Sequence, residues 1–214
     1  TVVFRSDDKG ESLKKVSDLI GQWWSTLFTH LGALYILGTD REYGHVVIRR
    51  SADGGRSWTS PEDEHQGHLS PEDGYHCAPV PVITHRGRVW RAFELAHGKR
   101  PEWAAQVASA PGDADLLRSE SWRFSAPYEH LWSGSQWIEG NVVVTPENRL
   151  VNLLRTNGQG DDRAAFLHIS DDGKTLSHDR EKDIIDFPGG GSKFTVRFDP
   201  KTRRYWSLAT SRRT

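Results

Sequence analysis

Five short stretches of this 214-residue chain gather side chains suited to a polyhydroxylated ligand: Gln22-Trp23-Trp24, Asp40 to His45, Tyr75-His76-Cys77, Trp137 to Asn141, and Gly191-Ser192-Lys193. Aromatic faces stack on sugar rings while fixed carboxylates and amides bond hydroxyl groups, so the mixture suits a glycan better than an apolar ligand. Breaking a glycosidic bond takes two flanking groups, one to protonate the leaving oxygen and one to act as base or nucleophile. Glu139, Asp40 and Glu42 are the candidate acids, with His76 or His45 as an alternative proton donor. Gln22, Trp23, Arg41, His45, Asn141 and Lys193 are the candidate substrate binders. Structural roles stand beside these. Trp58, Trp90, Trp122 and Trp206 occupy strand or repeat-equivalent positions and are expected to pack in the core, Glu94 reads as a strand-end charge, and Cys77 as a small buried apolar residue.

Residues so far apart in sequence need a repeating scaffold to bring them together. An apolar stretch, a polar turn and a second apolar stretch recur at Ser25 to Leu37, Ala78 to Phe93, Asn141 to Leu154 and Lys193 to Leu208. Their centres carry turn formers such as Leu31-Gly32, Arg86-Gly87, Pro146-Glu147-Asn148 and Asp199-Pro200. Each reads as a β-hairpin. Third strands are expected at Val2 to Arg5, His45 to Arg50, Ala104 to Ala108 and Ala164 to Ile169, each running into a serine. No segment of helical length shows a 3.6-residue period, and Ala114 to Ser119 is expected to make one turn at most.

The serines open a motif. Ser51-Ala52-Asp53-Gly54-Gly55-Arg56-Ser57-Trp58 fits S-x-D-x-G-x-x-W, Ser6 to Leu13 repeats it with leucine for tryptophan, Ser170 to Leu176 is one residue short, and Ser109 to Trp122 is a worn copy around Asp113. The aspartate can accept backbone N–H bonds across a tight turn, and glycine supplies the positive φ. With the hairpin spacing, these motifs resemble the Asp-box (BNR) repeats of the sialidase-like β-propellers, over essentially the whole chain. The resemblance implies an all-β fold: one domain, 1–214, of four-stranded antiparallel blades around a central channel, with the ligand site where the inner strands begin. The repeats then divide as an outer half-blade to about 20, blades at about 22–72, 75–132 and 136–187, and an inner half-blade at 192–214. A partial six-bladed ring is expected, the absence of methionine even at position 1 suggesting truncation; the alternative pairs the terminal halves into a closed four-bladed ring.

The resemblance further implies a secreted or periplasmic carbohydrate-active protein, a glycoside hydrolase of unidentified glycan, with a non-catalytic glycan-binding module or a polysaccharide lyase as alternatives. True sialidase activity is disfavoured. Sialidases open an inner strand with Arg-Ile-Pro, whose arginine binds the substrate carboxylate; the counterpart here is Gln22-Trp23-Trp24-Ser25, and an amide cannot replace a bidentate guanidinium. Arg41, beside Asp40 and Glu42, stands where a second such arginine could lie. Composition agrees in what it excludes: 28 Lys+Arg against 29 Asp+Glu gives no field for nucleic acid. Apolar runs are far shorter than the roughly 20 residues that cross a bilayer. A single cysteine rules out an internal disulfide or a cysteine-pair zinc site, and no cofactor or metal is expected.

Overall fold

The computed structural model describes residues 1–96, 103–130, 136–156 and 162–210. Five antiparallel sheets follow one another along the chain. β1 (Val2–Arg5) and β2 (Lys14–Asp18) form the first, and β3 (Trp23–His30), β4 (Ala33–Thr39) and β5 (Val46–Ser51) the second. In the third, β6 (Tyr75–His76) and β7 (Ile83–His85) both lie along β8 (Arg88–Ala96); β8 pairs with β9 (Trp103–Pro111), and β9 with β10 (Arg123–Phe124) and β11 (Tyr128–Glu129). The fourth runs β12 (Trp137–Val144), β13 (Leu150–Thr156), β14 (Arg163–Ile169), with β15 (Leu176–Ser177) and β16 (Ile184–Asp186) on β14. β17 (Phe194–Asp199) and β18 (Arg204–Ala209) form the fifth.

These sheets are blades of a β-propeller, packed face to face in chain order. β8 shows why its apolar residues do not alternate strictly with polar ones: seven of its nine residues are buried. Val89, Phe93 and Leu95 pack with Leu37 and Ile48 of the second sheet, while Trp90 and Ala92, on the opposite face, pack with Val142, Leu150 and Ile169 of the fourth. A strand buried on both faces has no reason to alternate with polar residues. Phe93, Leu37, Ile48, Leu154 and Leu167 are fully buried, each such side chain contributing about 1.5–3 kcal/mol. Leu153, Ala164, Phe194 and Val196 join the fourth sheet to the fifth.

The Ser-x-Asp turns recur as geometry. Asp53 accepts from the Ser51 hydroxyl at 2.8 Å and from Ser57 N–H at 2.9 Å; Asp8 accepts from Ser6 Oγ at 2.7 Å and Ser12 N–H at 2.9 Å; Asp172 accepts from Ser170 Oγ at 2.8 Å and Lys174 N–H at 3.1 Å. Hydroxyl bonds from Ser12 to Asp8, Ser57 to Asp53 and Ser170 to Asp172, with the N–H bonds behind them, hold all three carboxyls below the usual carboxylate range, Asp8 at about 2. At Gly173 (φ +70°) a Cβ would stand 2.8 Å from the Trp90 ring, so glycine lets this turn lie on the preceding sheet.

Several expectations need correction. The segment after β5 makes only an isolated bridge, Val47 with His68, so the second sheet has three strands rather than four. Among the described residues the terminal pairs do not join, β1 bonding only to β2 and β17 only to β18, so the strand pairing expected of a closed four-bladed ring is not formed. The worn copy at Ser109 to Trp122 does not form the aspartate turn; the Ser109 hydroxyl instead accepts from Arg88 at 3.0 Å. Trp206 is 59% exposed because no sheet covers β18, whereas Trp90 and Trp122 are buried as expected. The helical turn comes later, at Ser119–Ser121. The expected ends of two repeats, at 132 and 214, lie outside the described residues.

Candidate active site

Two of the inner strands open with the same irregularity. β3 bulges against β4 between Trp23 and Thr26, and β12 against β13 between Ile138 and Asn141. Within those bulges Trp24 (φ +45°) and Glu139 (φ +59°) are left-handed, a conformation that costs a bulky residue about 1–2 kcal/mol and that strands otherwise avoid. The bulge turns each side chain out of the normal alternation. Beyond it, Thr26 Oγ donates to Val80 O at 2.8 Å, and Asn141 Oδ1 accepts from Val196 N–H at 3.1 Å, so each bulge is latched to the next sheet.

Glu139 is 3% exposed and faces two cations. Lys193 Nζ lies 3.0 Å from its Oε1, and Arg155 Nε 2.5 Å from its Oε2, a charge contact whose N–H points off the hydrogen-bond line. Immediately beside it, the Gly140 N–H donates to Glu94 Oε1 at 3.0 Å. Glu94, fully buried on β8, takes His76 Nδ1 on its other oxygen at 2.8 Å. The two residues are direct cross-strand partners, so the sheet register itself sets this contact. Burying carboxylates is costly unless they are bonded and paired, and every contact just named serves that end.

With Nδ1 turned to Glu94, the His76 ring offers its Nε2 as the remaining polar atom. The ring sits among aromatics: its centroid is 4.5 Å from Trp24, 4.9 Å from Trp103 and 6.4 Å from Tyr43. The Trp24 backbone is fixed from beneath, its carbonyl accepting from Cys77 Sγ at 3.1 Å and from the fully buried Arg91 at 3.2 Å. Burial raises the Cys77 thiol pKa, keeping it neutral.

The structure thus unites His76, Glu139 and Lys193 among the residues singled out in the sequence. It adds Glu94, Arg155 and Trp103. Glu94 is no strand-end charge but the centre of the cluster, and its signal was a carboxylate set among the apolar residues Ala92, Phe93, Leu95 and Ala96 of β8. Asn141 is fully buried and spends its amide on the β17 backbone, and Gln22, 1% exposed, bonds Ser25 and Arg49, so both amides are engaged inside the protein. Asp40 caps its own turn through His45 N–H at 2.8 Å and pairs with Arg41. Arg41 is further occupied by Asp73 at 2.8 Å, so its charge is already neutralised by carboxylates. Glu42 is exposed in the same turn, whose Tyr43 does reach the aromatic group. His45 turns to Ser70 O and packs against His68, the tilted rings 4.5 Å apart between centroids. Trp23 is half exposed, edge-on to Trp24. Among the described residues no cluster of His, Cys, Asp and Glu is arranged to hold a metal, and no helix is long and apolar enough to cross a membrane.

No family model matches the chain, and no curated protein does. Solved structures match over nearly its whole length. A protein of unknown function from Dyadobacter fermentans aligns at TM-score 0.61 and 18% identity, over 94% of this chain and 61% of that one. A GH43 β-1,3-galactosidase with galactodeoxynojirimycin aligns at 0.57 and 14%, over 99% and 72%. A Hadza microbial sialidase aligns at 0.54 and 17%, over 84% and 40%. The chain therefore spans between two fifths and about three quarters of these proteins' lengths. At such identities the shared property is the fold, the antiparallel β-propeller of GH43 and sialidase-like glycoside hydrolases.

Proposed function

We propose that this propeller is a glycoside hydrolase other than a sialidase, reacting at the Glu94–His76 pair and Glu139. The observation that carries this is the pair of buried glutamates one peptide group apart, one bonded to a histidine within an aromatic collar and the other set between two cations. Protonated His76, braced by Glu94, donates its Nε2 proton to the glycosidic oxygen as the C1–O bond breaks. Glu139 takes a proton from the water whose oxygen bonds to C1, or attacks C1 itself before water releases the sugar. Glu94 touches no substrate and acts as a positioning residue, and Lys193 with Arg155 fixes the Glu139 carboxylate. Trp24, Tyr43 and Trp103 provide the face on which a sugar ring stacks. The fold of the neighbouring glycosidases supports a carbohydrate substrate; the missing arginine at Gln22 and the occupied Arg41 weigh against a sialic acid.

The test is reducing-end release from a broad oligosaccharide panel by wild type, Glu139→Gln and His76→Asn, with binding measured separately. Each variant is expected to lose about 10²–10⁴ of turnover while retaining glycan binding. Turnover unchanged in both variants refutes the assignment. Binding without any wild-type turnover makes the chain a binding module, and an unsaturated product absorbing in the ultraviolet makes it a lyase with His76 as base.

A further inference from the structure

A second cleft opens away from this cluster, between the third and fourth sheets, with a volume of about 330 Å³, at the lower end of the roughly 300–1,000 Å³ of small-ligand sites. Arg86 and Arg88 enter it from the β7–β8 hairpin, Arg149 from the β12–β13 hairpin, and Trp90, His168 and Asp171 complete the lining used here. Three guanidinium groups thus meet one carboxylate. Asp171 is almost wholly exposed and pairs with Arg86 at 2.7 Å, while Arg86 also donates to Asn148 O at 3.0 Å, clamping the rim from sheet to sheet. The other two arginines make no ion pair among the described residues. Arg88 donates only to Ser109, to Oγ at 3.0 Å and O at 3.2 Å, and burial, with Arg123 nearby, depresses its pKa, which marks an uncompensated cation. Arg149 makes no ion pair or hydrogen bond through its side chain among the described residues; its charge reaches Glu147, exposed on the same hairpin, without bonding it.

We propose that this cleft is a subsite for an acidic sugar unit, one carrying a carboxylate or a sulfate ester. The planar fork of a guanidinium matches either oxyanion with two parallel hydrogen bonds. Trp90, buried at 2% exposure, forms the apolar floor beneath the arginines, with Arg88 5.9 Å from its ring centroid. The choice of a sugar rather than another anionic ligand rests on the carbohydrate reading of the fold above; the excess of positive charge does not.

The experiment is calorimetric titration of the full chain with an oligogalacturonate, a sulfated galactan oligomer, a neutral galactan oligomer and sodium sulfate. At least one acidic oligomer is expected to bind, more weakly as salt is raised, and at least about tenfold more weakly in Arg149→Glu and Arg88→Gln, on the scale expected for losing a charge-assisted bond. Arg149 is exposed and holds nothing in place, so its reversal leaves the fold intact even if the Arg88 variant unfolds. The carboxylated and sulfated oligomers separate the two sources of the anion. Failure of both to bind, affinity unchanged in Arg149→Glu, or equal binding of free sulfate overturns the proposal. Glu139→Gln separates the two sites: it should abolish turnover and leave this binding untouched, so either reading can fail alone.

Discussion

Gly140 is where the backbone of the candidate site has no spare room. A Cβ built there would stand 2.2 Å from Asn152 Oδ1 and 2.8 Å from its Cγ and Nδ2, distances at which something must move. Gly140→Ala therefore forces Asn152, fully buried on β13, to shift or pushes the β12 bulge away from it. Overpacking of this kind costs about 1–3 kcal/mol. If the bulge moves, the Gly140 N–H bond to Glu94 goes with it, and a hydrogen bond to a charged acceptor contributes about 1.5–3 kcal/mol. Together the loss is about 2.5–6 kcal/mol, a large fraction of the roughly 5–15 kcal/mol that holds a domain folded. Asn152→Ala removes all three clashing atoms, and with them a buried amide whose oxygen and nitrogen have no hydrogen-bond partner among the described residues. Alone it is expected to change stability by less than about 1 kcal/mol, the lost packing offset by relief of an unsatisfied polar group. The measurement is urea unfolding of the four proteins of the cycle, with a common slope required for comparison. The double variant should recover at least about 1 kcal/mol relative to the sum of the singles. Additivity within about 0.5 kcal/mol would falsify the steric account and move the cause to the glycine backbone itself.

Two other outcomes follow from the same physics. Asp8 is held at about 2 against an ordinary 3.8, so its turn contributes stability above pH 3.8 that is lost as pH falls towards 2; Asp8→Asn should flatten the unfolding midpoint across that window, and a variant as acid-sensitive as wild type there sinks the point. On β18, Trp206 is 59% and Leu208 78% exposed beside half-exposed Phe198 on β17. The chain should therefore self-associate, and Trp206→Ser with Leu208→Ser should shift its sedimentation towards monomer, an effect excluded if the unmodified chain is already monomeric at equal concentration.

The hairpins were legible because β-branched and aromatic arms flanked turn formers, and the Ser-x-Asp turns because their bonds are local, donors and acceptors lying within about one turn of chain. What depends on register was not legible. Nothing in the sequence says that His76 lies opposite Glu94, and without that partner a glutamate near the end of a strand reads as solvated. Arg155 was missed for the same reason: it reaches Glu139 from β13, past a bulge that skips one pairing. Trp206 was misread in the other direction, because a repeat-equivalent position predicts burial only where a neighbouring sheet exists to cover it. Asn141 and Gln22 look like binders by residue type, yet both amides are consumed by backbone or side-chain partners inside the blades.

The paired bulges bear most directly on function. A strand start that merely needed an extra residue at positive φ would use glycine, which adopts that conformation without steric cost. At these two positions the chain places tryptophan and glutamate instead, at φ +45° and +59°, and strain of about 1–3 kcal/mol each persists only where surrounding structure overrides it. The override is visible: Cys77 and Arg91 hold the Trp24 carbonyl, while Lys193 and Arg155 hold the Glu139 carboxylate. One backbone device, repeated in two blades, therefore delivers an aromatic wall from the first and an acid from the second. Between them the third sheet supplies the His76–Glu94 pair, tied to the acid's own neighbour through the Gly140 N–H. Such a division of labour among repeats that share a backbone shape supports the proposed reacting centre, since packing alone gives no reason for it.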